Sequence, residues 1–178
     1  MIILDPVTGA VVGGLKWLGG VAVGGFGTWW RYWNKRRRMT RHLYRELAMN
    51  YFELRKAEGD PEVRAIAAEG KWVWGFEFKY YEFAQRDMDT FINVPGYTTI
   101  NFYYWRFRYL TELRDGPALG EMARLRLDMI DSMVEGGINA RAFTKQCSRW
   151  LKKIVRADVK ERGRVLKQAA KNRQPKRE

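Results

Sequence analysis

The chain has almost none of the residues from which disulfide frameworks, metal centres and nucleophile–base pairs are built. It contains one cysteine, Cys147, and one histidine, His42, in 178 residues. A single cysteine excludes an internal disulfide and a cysteine-based metal site within one chain, and it fits a reducing compartment. A single histidine leaves little material for a histidine triad. We expect His42 to belong to a basic surface and Cys147 to pack as a small apolar residue.

Phosphate-binding loops are also missing, although the sequence holds 17 glycines. Neither the G-x-x-x-x-G-K-[ST] nor the G-x-G-x-x-G pattern occurs, and glycine is instead concentrated in the apolar segment 9–27. The carboxylates of Asp87 and Asp89 are two residues apart and do not share a helix face. Glu82 and Asp89 are seven residues apart and share a helix face, but any two solvated carboxylates at that spacing do the same. The sequence therefore predicts no catalytic residue, no metal ligand and no cofactor, and we expect no enzyme.

One asymmetric stretch near the N-terminus is what the sequence does offer. Residues 7–28 are almost wholly apolar or glycine, an aromatic group follows, and a basic group comes next. Trp and Tyr favour the membrane interface, and Lys and Arg remain on its cytoplasmic side. We predict an interface aromatic belt of Trp29, Trp30, Tyr32 and Trp33, and an anionic-lipid contact of Lys35, Arg36, Arg37, Arg38 and Arg41.

This order predicts a single transmembrane helix over residues 11–33, preceded by a short segment 1–10 and followed by a juxtamembrane collar 34–45. Lys16 interrupts the apolar run, but its ammonium group can snorkel to the near interface. Seven basic residues and no acid lie between positions 31 and 45. The positive-inside rule then places the N-terminus outside a bacterial-type inner membrane and the C-terminal domain in the cytoplasm.

Three other interpretations of this stretch stay open. A cleaved signal peptide carries its positive charges before the apolar run rather than after it. A helix lying in the membrane plane needs a stronger polar face than Lys16 and Thr28 provide. A buried helix or glycine-rich arm of an assembly protein is the third interpretation. Gly20 and Gly24 form a small-x-x-x-small pair, which predicts helix packing and a homo-oligomer in the anchor interpretation.

The net charge of +13 lies at two places in the sequence. Residues 31–45 contribute +7 and residues 152–178 contribute +8, whereas residues 46–151 sum to −2. Each Lys or Arg near an anionic leaflet contributes about 1 kcal/mol. We therefore predict that Lys152, Lys153 and Arg156, at the start of a basic and partly disordered tail 156–178, also contact anionic lipid. Nucleic acid is the alternative partner.

The segment between the basic regions, residues 46–155, predicts a small helical bundle, so the expected fold class is all-α. Apolar residues recur at helical spacing in four stripes. The stripes are Leu43, Leu47, Tyr51 and Leu54; Ile100, Tyr104, Phe107 and Leu110; Ala123, Leu127, Ile130 and Val134; and Phe143, Cys147, Trp150 and Ile154. Residues 72–83 and 98–109 suit a strand as well as a helix, and we favour helices over 73–91 and 98–113.

Two constellations have more than one interpretation. The aromatic and arginine run 102–109 predicts mainly core packing, although such a run also suits single-stranded bases and phosphates. Asp128, Asp131 and Glu135 share a helix face, which predicts a charged surface that receives arginines of its own helix or of the tail.

The sequence as a whole predicts a non-catalytic, single-pass membrane protein that acts as a scaffold, adaptor or assembly component. Its partners would be anionic lipid and a protein or a second copy. The alternative is a soluble nucleic-acid-binding or phage-type structural protein with a glycine-rich N-terminal arm.

Overall fold

The computed structural model describes the backbone of residues 6–69, 75–113 and 117–173, and the side chains of 25–66, 69, 75–113 and 119–172. Within these ranges the chain is helical and contains no strand, which confirms the all-α prediction. The helices are α1 (Pro6–Gly59), α2 (Pro61–Ala68), α3 (Lys79–Gln85), α4 (Met88–Phe91), α5 (Tyr97–Glu112), α6 (Pro117–Glu135), α7 (Ala140–Gln146) and α8 (Arg149–Arg173).

The chain divides into an N-terminal unit, Met1–Arg38, and a C-terminal unit, Met39–Glu178. In the N-terminal unit the described element is the first part of α1. None of the helices in the described ranges combines the length and the apolar character that crossing a membrane requires.

The C-terminal unit is built around the apolar stripe of α1. Leu43, Leu47, Tyr51 and Leu54 are all at most 1% exposed, as the spacing predicts. The α5 stripe packs into the same core, and Tyr104 stacks on Tyr81 of α3 with ring centroids 4.2 Å apart. This core buries aromatic rings from four parts of the chain, since Phe76 also contacts Phe107 at 5.0 Å.

A single helix over residues 73–91 is a wrong prediction. Residues 75–78 are not helical, α3 begins at Lys79, and a turn at Arg86 and Asp87 separates α3 from α4. Residues 70–74 lie outside the described residues. The cause is a tertiary contact from α1. Asn50 accepts from the Glu77 N–H at 2.7 Å and donates to the Glu77 carbonyl at 2.9 Å, which holds this segment extended.

Glu46, one turn before Asn50 on α1, fixes the start of α3. Its buried carboxylate accepts hydrogen bonds from the backbone N–H groups of Tyr80, at 2.6 Å, and Tyr81, at 3.0 Å. These are donors that the first turn of a helix leaves without intrahelical partners. Burial raises the pKa of Glu46, although the two N–H groups act in the opposite direction.

The last helices differ from prediction in two respects. Cys147 and Ser148 separate α7 from α8, so the predicted stripe is split, and Trp150 is 57% exposed rather than buried. The predicted basic tail is helical in its described part, because α8 continues to Arg173. Leu151 and Val155 bury α8 against the bundle, and Arg162 donates two hydrogen bonds to Asp131 of α6 at 2.6 and 2.8 Å.

The apolar face of α6 is also shifted from the predicted one. Leu127 is 40% exposed, whereas the fully or nearly buried residues are Met122, Leu125, Met129, Ile130 and Met133. Because α6 packs against both α5 and α8, its buried face is wider than a single stripe.

Two distant turns of the bundle meet at one tyrosine of α1. The Tyr44 hydroxyl donates to the Pro95 carbonyl at 3.1 Å and accepts from the Asn139 N–H at 3.3 Å. Gly96 has a φ of 76°, and a Cβ there would lie 2.7 Å from the Gly137 carbonyl oxygen. Glycine at position 96 therefore permits both the left-handed backbone and the close approach of the turns.

Candidate functional surfaces

The described residues do not gather into a metal or acid–base site. No group of three or more His, Cys, Asp or Glu side chains in these ranges is placed to hold a metal ion. A cavity of about 250 Å³ lies between α1, α2 and α6, and Glu58 and Arg64 are among its lining residues. Glu58 is already engaged by Arg126, so the cavity does not present convergent carboxylates. His42 stacks on Tyr80, with ring centroids 4.4 Å apart.

Cys147 is half-buried at the junction of α7 and α8, and its thiol donates to the Phe143 carbonyl at 3.4 Å. Burial raises the pKa of this thiol to about 11, while Lys152 acts weakly in the other direction. A reactive cysteine requires the thiolate, so the surroundings of Cys147 are those of an inert residue.

We expect Cys147 to react with iodoacetamide at least about tenfold more slowly near pH 8 than a thiol of ordinary pKa, because little of it is ionised. Its rate should keep rising with pH beyond the point, about pH 10, at which an ordinary thiol is nearly fully ionised. An Ala157→Cys variant, which adds an exposed thiol on α8, provides the internal comparison. Equal rates at both positions would contradict the prediction.

Trp29, Trp30 and Trp33 of the predicted aromatic belt form one stripe on α1 together with Phe26, while Tyr32 is 41% exposed and Trp33 half-buried. Phe26, Trp29 and Trp30 are 62%, 55% and 47% exposed. The rings contact one another along the helix: Phe26 lies 5.8 Å from Trp29, and Trp30 lies 5.4 Å from Trp33. Such a set of large solvent-exposed rings is unusual for a helix of a soluble domain. The apolar surface of these rings is available to a lipid phase or to a protein partner.

The basic collar begins on the same face. The Arg37 guanidinium lies over the Trp33 ring, 5.1 Å from its centroid, so the aromatic stripe ends in a cation. Five of the collar's basic side chains are exposed and Arg36 is half-buried; the exposed ones are Lys35, Arg37, Arg38, Arg41 and Arg45. The predicted packing residues Gly20 and Gly24 lie within α1, but their surroundings are outside the described side chains.

The structure divides the aromatic and arginine run 102–109 between core and surface. Tyr103, Tyr104 and Phe107 are at most 2% exposed, whereas Phe102, Trp105 and Tyr109 are 47–63% exposed on the opposite face of α5. The arginines of the run are paired with carboxylates and are therefore not available to contact phosphates. Arg106 pairs with Asp128 and Glu121, and Arg108 pairs with Glu82 at 3.0 Å. The exposed face is thus aromatic and nearly neutral.

The acidic face of α6 receives its arginines from other helices. Asp131 is bound by Arg162 of α8, so the tail does supply one of its partners, as the sequence allowed. Asp128 is bound by Arg106 of α5 rather than by an arginine of its own helix. These pairs join the Asp128 and Asp131 carboxylates of α6 to α5 and α8.

The predicted tail contacts lie at the start of α8. Lys153 and Arg156 are exposed, and Lys152 is half-buried. Sequence reasoning missed how far this surface extends, because the tail was expected to lose its helical form. The signal was present: Lys and Arg recur at spacings of three and four up to Lys171, which is the spacing of one helix face.

Comparisons with protein-family models, with curated proteins and with solved structures give no match to this chain. The functional argument therefore depends on the chain's own surfaces.

Proposed function

We propose that the protein is a non-catalytic adaptor or scaffold that is anchored in a membrane by the first part of α1. The observation that carries this proposal is the exposed aromatic stripe over 26–33, which runs directly into Arg37 and the rest of the basic collar. In the proposed arrangement, residues 11–33 enter the bilayer and the rings lie at the headgroup level. The collar then contacts anionic lipid.

The energetic basis is the apolar area of these rings. A large aromatic side chain has roughly 150–250 Å² of surface, and about 25 cal/mol is gained per Å² removed from water. A ring that is about half exposed therefore gains on the order of 2–3 kcal/mol on entering an apolar phase. Several such rings on one face, adjacent to lysines and arginines, have the composition of a membrane interface.

Orientation and location follow from the charge distribution. The basic residues lie after the apolar segment, and Asp5 is the only charge before Lys16. By the positive-inside rule, the N-terminus would face outward across a bacterial-type inner membrane, and the C-terminal unit would face the cytoplasm. The exposed face of α5, with Phe102, Trp105 and Tyr109, is the surface we propose for a protein partner or a second copy.

Membrane fractionation tests the anchor. We expect the full chain to remain in the membrane pellet after carbonate washing, and a chain lacking residues 1–38 to be released. The truncation ends where the C-terminal unit begins, and circular dichroism would establish that the remainder is folded.

A second pair of variants distinguishes membrane insertion from nonspecific hydrophobic adsorption. Trp29→Ser with Trp30→Ser should release a large fraction of the protein, because it removes two interface rings. Trp105→Ser with Trp150→Ser removes two rings that are equally exposed and should leave the protein in the pellet. Complete extraction of the wild-type chain by carbonate would refute the anchor.

A soluble nucleic-acid-binding or phage-type structural protein is the second candidate, favoured by the regular cations on α8. In that case binding to duplex DNA should weaken with salt by about 0.9 in log K per log unit of salt for each phosphate neutralised. Such binding, without any membrane association, would replace the anchor proposal.

A further inference from the structure

The outward face of α8 carries an unbroken line of positive charge. Seven basic residues follow one another at spacings of four and three, and each is exposed: Arg149, Lys153, Arg156, Lys160, Arg164, Lys167 and Lys171. At 100° per residue they fall within an arc of about 80°, and at 1.5 Å per residue they extend over roughly 33 Å. We call this set the α8 cation line.

The opposite face of α8 holds the line in a fixed orientation. Leu151 and Val155 are buried in the bundle core. Asp158 accepts a hydrogen bond from Tyr51 at 2.8 Å, and Arg162 is paired with Asp131. Leu151, Val155 and Asp158 of α8 therefore contact the bundle, and the cation line is directed away from it.

A solvated surface does not by itself require charges of one sign. Like charges three or four residues apart destabilise a helix by about as much as opposite charges stabilise it, and the cation line contains six successive pairs of this kind. Elsewhere in the C-terminal unit some exposed arginines have carboxylate partners, as Arg108 has Glu82 and Arg124 has Glu121. Within the described residues, no member of the line has such a partner.

We infer that the α8 cation line is a docking surface for the anionic lipid headgroups of a bilayer. A straight, one-sided row of cations matches a flat anionic plane. A helix that enters a nucleic-acid groove meets phosphates on both of its flanks, whereas the cations of the line all lie on one side of α8 within an arc of about 80°. The line also has no apolar residue, so α8 would rest on the surface without insertion.

This inference rests on the proposed function, which brings the chain to a membrane, and it adds a second, electrostatic contact. Screening limits such a contact to within about 8 Å of the bilayer at physiological salt. Docking on α8 would therefore be reversible by salt, unlike the α1 anchor.

A fluorescent reporter on α8 tests the docking in the full chain. Ala157→Cys adds an exposed thiol beside the line, and the protein is reconstituted in vesicles with a headgroup-attached quencher. One set is phosphatidylcholine alone and the other contains phosphatidylglycerol. We expect quenching only with phosphatidylglycerol, reversed by high salt.

Matched variants show whether the line itself is responsible. Lys160→Gln, Arg164→Gln and Lys167→Gln together should weaken vesicle binding of the α8 surface roughly 100-fold, because three lipid-contacting cations are lost. Arg64→Gln, Arg86→Gln and Lys145→Gln remove three exposed cations away from α8 and should have little effect. Equal effects of both triples would overturn the inference.

The outcomes also separate this inference from the anchor. Carbonate resistance in phosphatidylcholine vesicles reports α1, whereas salt-sensitive quenching reports α8. Loss of the first with retention of the second would refute the anchor alone. Absence of quenching in anionic vesicles, or tighter binding of duplex DNA than of those vesicles with loss in the α8 triple variant, would refute lipid as the partner.

Discussion

Replacing Arg126 with methionine is expected to lower the free energy of unfolding by about 3 kcal/mol, the largest effect that we anticipate for one side chain. Arg126 is 9% exposed. It lies on α6 between Glu58 of α1, which it contacts through two nitrogens, and Asp158 of α8 at 3.3 Å. Methionine retains most of the apolar stem, so the loss reports the charge interactions rather than a cavity.

The magnitude follows from what the substitution leaves behind. Asp158 also accepts from the Tyr51 hydroxyl, so three helices meet at this cluster. The side chains of Glu58 and Asp158 are 30% and 16% exposed, and without Arg126 two nearby carboxylates would repel each other with little solvent. Breaking a buried pair costs about 3–5 kcal/mol, and the partial exposure here places the effect at the lower end.

Urea unfolding followed by circular dichroism measures this change, and the same helix supplies its control. Arg124 pairs with Glu121, but its side chain is 70% exposed, so Arg124→Met should change stability by no more than about 0.5 kcal/mol. Adding Asp158→Asn to Arg126→Met should restore about 1 kcal/mol. Equal midpoints for the two arginine variants would show that the cluster does not support the fold.

Asn50→Leu is expected to lower the free energy of unfolding by about 2–3 kcal/mol, since it leaves the N–H and the carbonyl of Glu77 without their partner. Asn50 is fully buried, and its two hydrogen bonds hold the segment before α3 against α1. Leucine has the same number of side-chain heavy atoms and the same branching at Cγ, so the substitution leaves no cavity that could account for the change.

Hydrogen exchange gives this prediction a local signature. Amides of residues 75–81 should exchange faster in the Asn50 variant. Exchange of the α6 amides should change only as far as the global free energy of unfolding changes. Met49→Ala, at an exposed neighbouring position, should alter neither quantity by a comparable amount. Unchanged exchange over 75–81 would mean that Asn50 does not hold this segment.

Local periodicity was enough to predict the all-helical class and the inward face of two helices. The α1 and α5 stripes repeat regularly because each of these helices presents one apolar face to the core. Helix α2 begins where Gly59, Asp60 and Pro61 carry the stop, cap and first-turn signals together in the sequence. The Asp60 carboxylate accepts from the N–H groups of Glu62 and Val63.

Periodicity failed where a side chain distant in sequence decides the backbone. Nothing near residue 77 indicates that Asn50 will bind it, so residues 75–78 appeared to continue a helix. The extent of α8 was missed for another reason: the helical spacing of its lysines and arginines was present in the sequence but was attributed to a partly disordered tail. Of the candidate surfaces, the aromatic belt was predicted from the sequence. The exposed aromatic face of α5 was not, because it depends on which side of α5 packs against the core.

The Tyr44 hydroxyl couples the internal motions of two turns that are far apart in sequence. Because one oxygen bonds both Pro95 and Asn139, a turn that moves and carries the Tyr44 hydroxyl with it also disturbs the hydrogen bond of the other turn. The bundle is therefore expected to fluctuate at this end as one cooperative opening unit rather than as two independent loops. A partner that binds either turn would reduce the motion of both turns. Binding would thereby be transmitted across the bundle without any change of shape.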